Sequence, residues 1–252
     1  MSTSPFDLSG KTAVVTGAGR GLGQGVARGL ADAGADLILV GLPGSQDESA
    51  KQIADLGRQV QVVDLDVSDH DAVARVGADL VTGGQIDILV NNAGIIERED
   101  TVDLGADSWN RVIDINLTGL FLLTQALGRP MVERGAGKIV SIASLLAFQG
   151  GIRVISYTAA KHGVAGITKA LANEWGPLGV QVNAIAPGYM ATDNTAPLRA
   201  DADRAQAILE RIPAGRWGTP EDIAGAAVFL SSPAADYVNG HVLVVDGGWM
   251  AR

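Results

Sequence analysis

The sequence predicts one doubly wound α/β domain built on a seven-stranded parallel sheet. Three observations carry this. Seven short β-rich runs alternate with segments of helical period, several of those runs are apolar at nearly every residue, and the first run passes through a glycine cluster into the first helix. Strands covered by helices on both faces need such continuous apolar runs, and regular alternation of strand and helix builds a parallel sheet. The length of 252 residues is ample for one hydrophobic core, and the run of strands assigns all of it to a single domain.

Residues 12–16 form the first strand. Residues 22–33 then take helical period, with Leu22, Val26, Leu30 and Ala33 on one face, and Gly34 stops that helix. Residues 37–40, 60–63, 86–90, 138–142, 180–185 and 241–245 supply the remaining strands, and residues 109–127, 157–175 and 220–231 are helical. Residues 188–216 fit neither pattern well and read as a long loop with a short helix near 202–211. An insert of that length behind a strand is a candidate substrate lid.

Composition narrows the function. The absence of Cys excludes disulfides, a thiolate nucleophile and zinc–thiolate chemistry. His70, His162 and His241 are scattered at no ligand spacing, so no metal is expected. A net charge of -9 argues against nucleic acid as a partner, since phosphate contacts need clustered Lys and Arg. Residues 1–7 have neither the basic nor the apolar region of a signal peptide. No apolar run approaches the roughly 18–20 residues of a membrane span. The expectation is a cytoplasmic protein without membrane contact.

Thr16-Gly17-Ala18-Gly19-Arg20-Gly21-Leu22-Gly23 joins the first strand to the first helix. Glycine lets the backbone turn tightly and approach a pyrophosphate, while the helix N-terminus offers free N–H groups to the anion. A strand before and a helix after favour a phosphate cradle over an ordinary turn. Asn91-Asn92-Ala93-Gly94 ends the fourth strand, at the sheet edge where ligands bind in such folds. These residues suit either a turn or a cofactor contact.

Tyr157 and Lys161 are four apart in a predicted helix and share a face, and Ser144 lies just beyond the fifth strand. A free Tyr, with a pKa near ~10, is too weakly acidic to act as a base at neutral pH. A nearby ammonium and an oxidised nicotinamide would both favour its phenolate. A Ser hydroxyl beside it can hold a substrate oxygen. Asn116 sits in mid-helix, where Asn is mildly unfavourable, with no evident structural gain. Taken alone, a Tyr and a Lys at this spacing read rather as an amphipathic surface pair.

Together these segments resemble the short-chain dehydrogenase/reductase family. Thr16 to Gly23, Asn91 to Gly94, Asn116, Ser144, Tyr157-Thr158-Ala159-Ala160-Lys161 and Pro187-Gly188 occur in the family's order, over nearly the whole chain. The resemblance implies a Rossmann-type domain with a catalytic tetrad of Asn116, Ser144, Tyr157 and Lys161. Tyr157 would be the acid/base and Ser144 would orient the substrate oxygen. Lys161 would bind the nicotinamide ribose and tune Tyr157, and Asn116 would hold a relay water. It also implies cofactor contacts from Gly17, Gly19, Arg20, Gly21, Leu22 and Gly23, from Asp66 and Val67 at the adenine, and from Asn92, Ala93 and Gly94. Tyr157, Lys161, Pro187, Gly188 and Thr192 would complete them at the nicotinamide end.

Family members that use NAD usually carry an acid at the end of the second strand, a place that falls here on Gly41 or Leu42. No Lys or Arg stands in Gly41-Leu42-Pro43-Gly44-Ser45 to meet a 2′-phosphate, and Arg20 is the nearby cation. NAD is favoured, with NADP as the alternative.

Residues 148–154, 172–175, 186–192, 211–218 and 246–249 resemble the family's sugar-acid branch. The implied reaction interconverts a hydroxyl and a ketone on a 3-deoxy sugar acid. A carboxylate substrate calls for a cation. Arg153 fills that role if the helix of Tyr157 extends back to it, with Gln149 as a polar contact; a subunit-interface ion pair is an equal reading of Arg153. Arg216 and Trp217 are read as anchors of the lid. Rival enzyme readings are a gluconate-type or uronate-derived keto acid reductase, or a 3-oxoacyl or general ketone reductase. A dinucleotide sensor without turnover is disfavoured because Tyr157 and Lys161 are both present. The resemblance implies a homotetramer, with helices 109–127 and 157–175 packed between subunits and Trp249-Met250-Ala251-Arg252 reaching a neighbour.

Overall fold

A computed structural model describes residues 4–251; Met1, Ser2, Thr3 and Arg252, which belong to the terminal segments read above, lie outside the described residues. Seven parallel strands form one sheet: β1 (Thr12–Thr16), β2 (Asp36–Gly41), β3 (Val60–Asp64), β4 (Ile88–Asn91), β5 (Gly137–Ile142), β6 (Val180–Pro187) and β7 (Val242–Val245). Their spatial order is β3-β2-β1-β4-β5-β6-β7. The chain winds outward from β1 in one direction and from β4 in the other, so the crevice between β1 and β4 is the switch point where such sheets bind ligands.

Alternation along each strand feeds two cores. Val15, Leu39 and Ile185 pack on one face against Val26 and Leu30 of α1 (Gly21–Asp32). Ile223 and Leu230 of α9 (Pro220–Ser231) complete that layer. Val14, Val40, Leu89 and Ile139 point the other way, onto Val73 and Leu80 of α3 (His70–Gly83). Leu123, Leu127 and Met131 of α5 (Leu120–Arg134) and Leu171 of α6 (Ile155–Trp175) cover the same face. Neighbouring residues facing opposite layers is the period-two geometry that the apolar runs encode. The helix α2 (Asp47–Asp55) follows β2.

The structure departs from the sequence reading in three places. The fourth strand starts at Ile88 rather than at residue 86. The helix expected over residues 109–127 is a composite: α4 (Ala106–Ile113), a π-helical turn (Asp114–Gly119) and α5. The third departure is at α6, which begins at Ile155, so Arg153 is not on it. The insert after β6 folds into a 3-10 turn (Asp193–Thr195), α7 (Ala196–Ala200) and α8 (Ala202–Arg211). It docks through Ile208 and Ile212 onto Leu145 and Trp249, both buried.

Candidate active site

The glycine cradle is built where β1 runs out into α1. Gly17 has φ of +63°, and a Cβ there would stand 2.9 Å from the Ala93 Cα. A Cβ on Gly23 would stand 2.1 Å from the Gly17 carbonyl oxygen and 2.4 Å from Asn92 Nδ2. Only glycine fits either place. Arg20 precedes the first turn of α1 and gives it no side-chain cap, which leaves the first N–H groups of α1 without a side-chain acceptor. These features fit a pyrophosphate.

The residues after β4 hold the cradle in shape. The backbone N–H groups of Asn92 and Ala93 donate to Thr16 Oγ1 at 2.9 and 3.0 Å, and Asn92 Nδ2 donates to the carbonyls of Thr16 (2.9 Å) and Gly17 (3.0 Å). The Asn92 side chain is therefore committed to bracing the loop. Asp66 is exposed just past β3, its Oδ1 accepting from the N–H and hydroxyl of Ser68, and Val67 beside it is buried. Pro187 and Gly188 end β6, and Thr192 caps the 3-10 turn of the insert, its methyl 3.6 Å from where a Cβ of Gly21 would lie.

The four residues of the expected tetrad lie at the same edge of the sheet. Asn116 occupies the π-helical turn and is fully buried. Its Oδ1 accepts from the Ile95 N–H at 2.9 Å and its Nδ2 donates to the Ile95 carbonyl at 2.8 Å. The structural gain that the sequence did not reveal is this clamp on the loop after Gly94; π-turns of this kind cluster at functional sites. Ser144 lies just past β5 and caps a 3-10 turn (Leu145–Ala147), accepting from the Leu146 N–H at 3.2 Å. It lies close enough to Tyr157 on α6 to lower the pKa of that phenol.

Lys161, one turn on, is buried, and its Nζ donates to the Ile142 carbonyl at 2.6 Å while lying 5.4 Å from the centre of the Tyr157 ring. Burial pulls Lys161 down to about 8. Tyr157 as a residue is half-buried, yet its titrating end is deep enough that burial pushes the phenol above its ordinary value. The Ser144 hydrogen bond and the positive charge of Arg98 pull it back in part. Two hydroxyls side by side form a site for the oxygen of a carbonyl or alcohol, and the ammonium of Lys161 behind the ring supplies a charge that favours the phenolate.

Arg98 escaped the sequence reading because it stands in the charged run Glu97-Arg98-Glu99-Asp100, which looks like a solvated loop. Its Nη2 donates to the Asn194 carbonyl of the insert at 3.1 Å. Arg153 differs from its expected setting. It precedes α6 with φ of 64°, and its Nε lies 3.2 Å from Asp100 Oδ1 in an exposed ion pair. Gln149 is half-buried just after the 3-10 turn of Ser144. Arg20 pairs with Asp193 at the root of the insert (3.1 Å). Arg216 forms a two-pronged pair with Asp222 at 2.6 and 2.7 Å, and Trp217 stands edge-on to Tyr189. Among the described residues, no three His, Cys, Asp or Glu side chains gather where they could hold a metal.

A family model described as enoyl-(acyl carrier protein) reductase matches residues 17–250. The 2-dehydro-3-deoxy-D-gluconate 5-dehydrogenase of Bacillus subtilis is 56% identical over 98% of this chain and 97% of its own. The enzyme of the same name from Dickeya dadantii is 50% identical over 100% of both chains. The chain belongs to the short-chain dehydrogenase/reductase family. A solved structure from Agrobacterium tumefaciens with bound NADP superposes with a TM-score of 0.95 at 57% identity, covering 99% of this chain and 100% of that one. As a short-chain dehydrogenase/reductase, the protein is an NAD(P)-dependent oxidoreductase that acts on a CH–OH group. No helix among the described residues is long and apolar enough to cross a membrane.

Proposed function

We propose that this short-chain dehydrogenase/reductase interconverts a secondary hydroxyl and a ketone on a 3-deoxy sugar acid, as a 2-dehydro-3-deoxy-D-gluconate 5-dehydrogenase. The observation that carries the chemistry is Ser144 facing Tyr157, with the Nζ of buried Lys161 5.4 Å from the Tyr157 ring centre, at the strand ends beside the glycine cradle. The shared name of relatives at 50–56% identity over nearly the full chain supports the substrate.

Bound in the crevice, the dinucleotide supplies the hydride acceptor or donor at its nicotinamide ring. Tyr157 takes the hydroxyl proton during oxidation and returns it during reduction, while Ser144 donates to the same oxygen. Lys161 lies close enough to the Tyr157 ring to favour the phenolate electrostatically. Gly17 to Gly23 hold the pyrophosphate. Asp66 and Val67 line the adenine end, and Ala93, Gly94, Pro187, Gly188 and Thr192 the nicotinamide end. Asn92 and Asn116 act by holding the loops through their backbone bonds. Gln149 is a polar contact for the sugar chain.

Arg98 receives the substrate carboxylate. Its charge already reaches Tyr157, whereas Arg153 would first have to release Asp100. Both NAD and NADP serve, because the end of β2 carries neither an acid nor a cation and the Agrobacterium tumefaciens relative holds NADP. The 188–216 insert closes over the substrate. The chain works in the cytoplasm as a homotetramer joined through the α4–α5 and α6 faces, where Phe121 and Ile155 stay exposed in the single chain. The test crosses both cofactors with gluconate-type acids, 3-oxoacyl thioesters and simple ketones, read at the reduced-nicotinamide absorbance band. Turnover restricted to the thioesters or ketones would replace this substrate class.

A further inference from the structure

A buried amide without a partner stands at the end of β2. Gln46 is fully buried, and neither its Oε1 nor its Nε2 has a hydrogen-bond partner, whichever way the amide is turned. Buried polar groups are nearly always paired, so an orphan of this kind calls for an explanation. Its position supplies one. A Cβ on Gly41, the last residue of β2, would fall 2.3 Å from Gln46 Nε2 and 3.2 Å from its Cδ. The carboxamide of Gln46 therefore occupies the space that a side chain at position 41 would fill.

That space belongs to the cofactor crevice. In dinucleotide folds the residue about 20 positions beyond the glycine cradle meets the 2′ position of the adenosine ribose: an acid accepts from the hydroxyl, or a nearby Arg accepts the phosphate. That place falls here on Gly41 or Leu42, and Gly41, at the end of β2, has no side chain. The surrounding contacts tie Gln46 to the cradle. The Ser45 carbonyl oxygen would lie 2.0 Å from a Cβ on Gly19. Ser49, one turn along α2 from Gln46, donates to the Ala18 carbonyl at 2.8 Å. Residues 42–45, the short turn between Gly41 and Gln46, are all exposed.

We propose that the Gln46 carboxamide takes the place of the missing side chain at position 41 and meets the 2′ oxygen of the adenosine ribose. An amide both donates and accepts. It can accept from a ribose hydroxyl or donate to a 2′-phosphate, and it repels neither. This inference rests on the dinucleotide reading above and adds the residue that sets its selectivity.

Binding of NADH and NADPH, followed by energy transfer from tryptophan to the reduced nicotinamide, tests it. Wild-type protein is expected to bind both, with Kd values within about tenfold of each other. Gln46→Glu sets a like charge against the 2′-phosphate and is expected to weaken NADPH at least roughly tenfold more than NADH. The pair Gly41→Asp with Gln46→Ala restores a carboxylate in the vacated space, so it is expected to bind NADH like the wild type and NADPH poorly. Gln46→Met, which keeps the volume but loses the amide, decides the matter where Gln46→Glu does not fold: it is expected to weaken both cofactors, and Kd values unchanged from wild type overturn the role of Gln46. A ratio of NADPH to NADH affinity unchanged from wild type in folded Gln46→Glu overturns that role too, as does a wild type that discriminates more than about a hundredfold. Wild-type protein that binds neither cofactor would instead overturn the dinucleotide reading, and this inference with it.

Discussion

The side-chain amide of Asn116 holds both backbone polar groups of Ile95, accepting from its N–H at 2.9 Å and donating to its carbonyl at 2.8 Å. The clamp ties the π-helical turn between α4 and α5 to the loop that carries Arg98. Asn116→Leu leaves both Ile95 groups without their partner, a loss of about 3 kcal/mol. For a chain of this size that corresponds to a fall of roughly 6–12 °C in Tm. Thermal unfolding followed by circular dichroism measures it; a Tm within about 2 °C of wild type would contradict the clamp.

Lys161 gives a pH-dependent term in stability. Its pKa is about 8 in the fold against an ordinary 10.5. Between those values the folded chain binds fewer protons than the unfolded one, so stability rises with pH across that window. Below pH 8 the full cost is present, about 3 kcal/mol. Lys161→Met removes it at the expense of the bond to the Ile142 carbonyl, for a net gain of roughly 1–2 kcal/mol at pH 7 in protein free of dinucleotide. The gain should vanish by about pH 10.5 while turnover is lost at every pH. Denaturant titrations at pH 7 and pH 10 check the sign, and a destabilised variant at pH 7 would refute it.

Arg98 has two readouts. Arg98→Ala is expected to raise KM for a sugar acid by about 10–100-fold, the loss of one charge-assisted contact, with little change for an uncharged polyol analogue. Its charge also lowers the Tyr157 pKa, so the acid limb of kcat/KM for alcohol oxidation, where the phenolate is lost, should move to higher pH. Arg153→Ala should leave both quantities near wild type. The reverse pattern would return the carboxylate role to Arg153.

The sheet and its strand count were legible in the sequence because they rest on local signals, apolar runs and a glycine cluster between strand and helix. The tetrad came only through the family resemblance, since the helical spacing from Tyr157 to Lys161 alone reads rather as a surface pair. The π-turn was not legible, and the Asn116–Ile95 clamp it carries joins residues 21 apart in the chain. Arg153 misled the reading because its distance from the helix depends on where α6 begins, and helix starts are set by caps rather than by periodicity. Val154, at that start, provides no side-chain cap bond. Arg98 and Gln46 carry no sequence signature at all. One draws its meaning from proximity to Tyr157 across the fold, the other from the empty side of Gly41.

The central claim is that Tyr157 moves the proton in a dinucleotide-dependent oxidation of a sugar acid. Tyr157→Phe removes one oxygen and leaves the ring in place, so it separates chemistry from binding. With 2-dehydro-3-deoxy-D-gluconate and either cofactor, the variant is expected to lose at least about a thousandfold in kcat, near the upper end for general acid–base catalysis. Its Kd for the reduced dinucleotide should stay within about threefold of wild type. A variant that binds the dinucleotide normally and turns over within about tenfold of wild type would contradict the assignment.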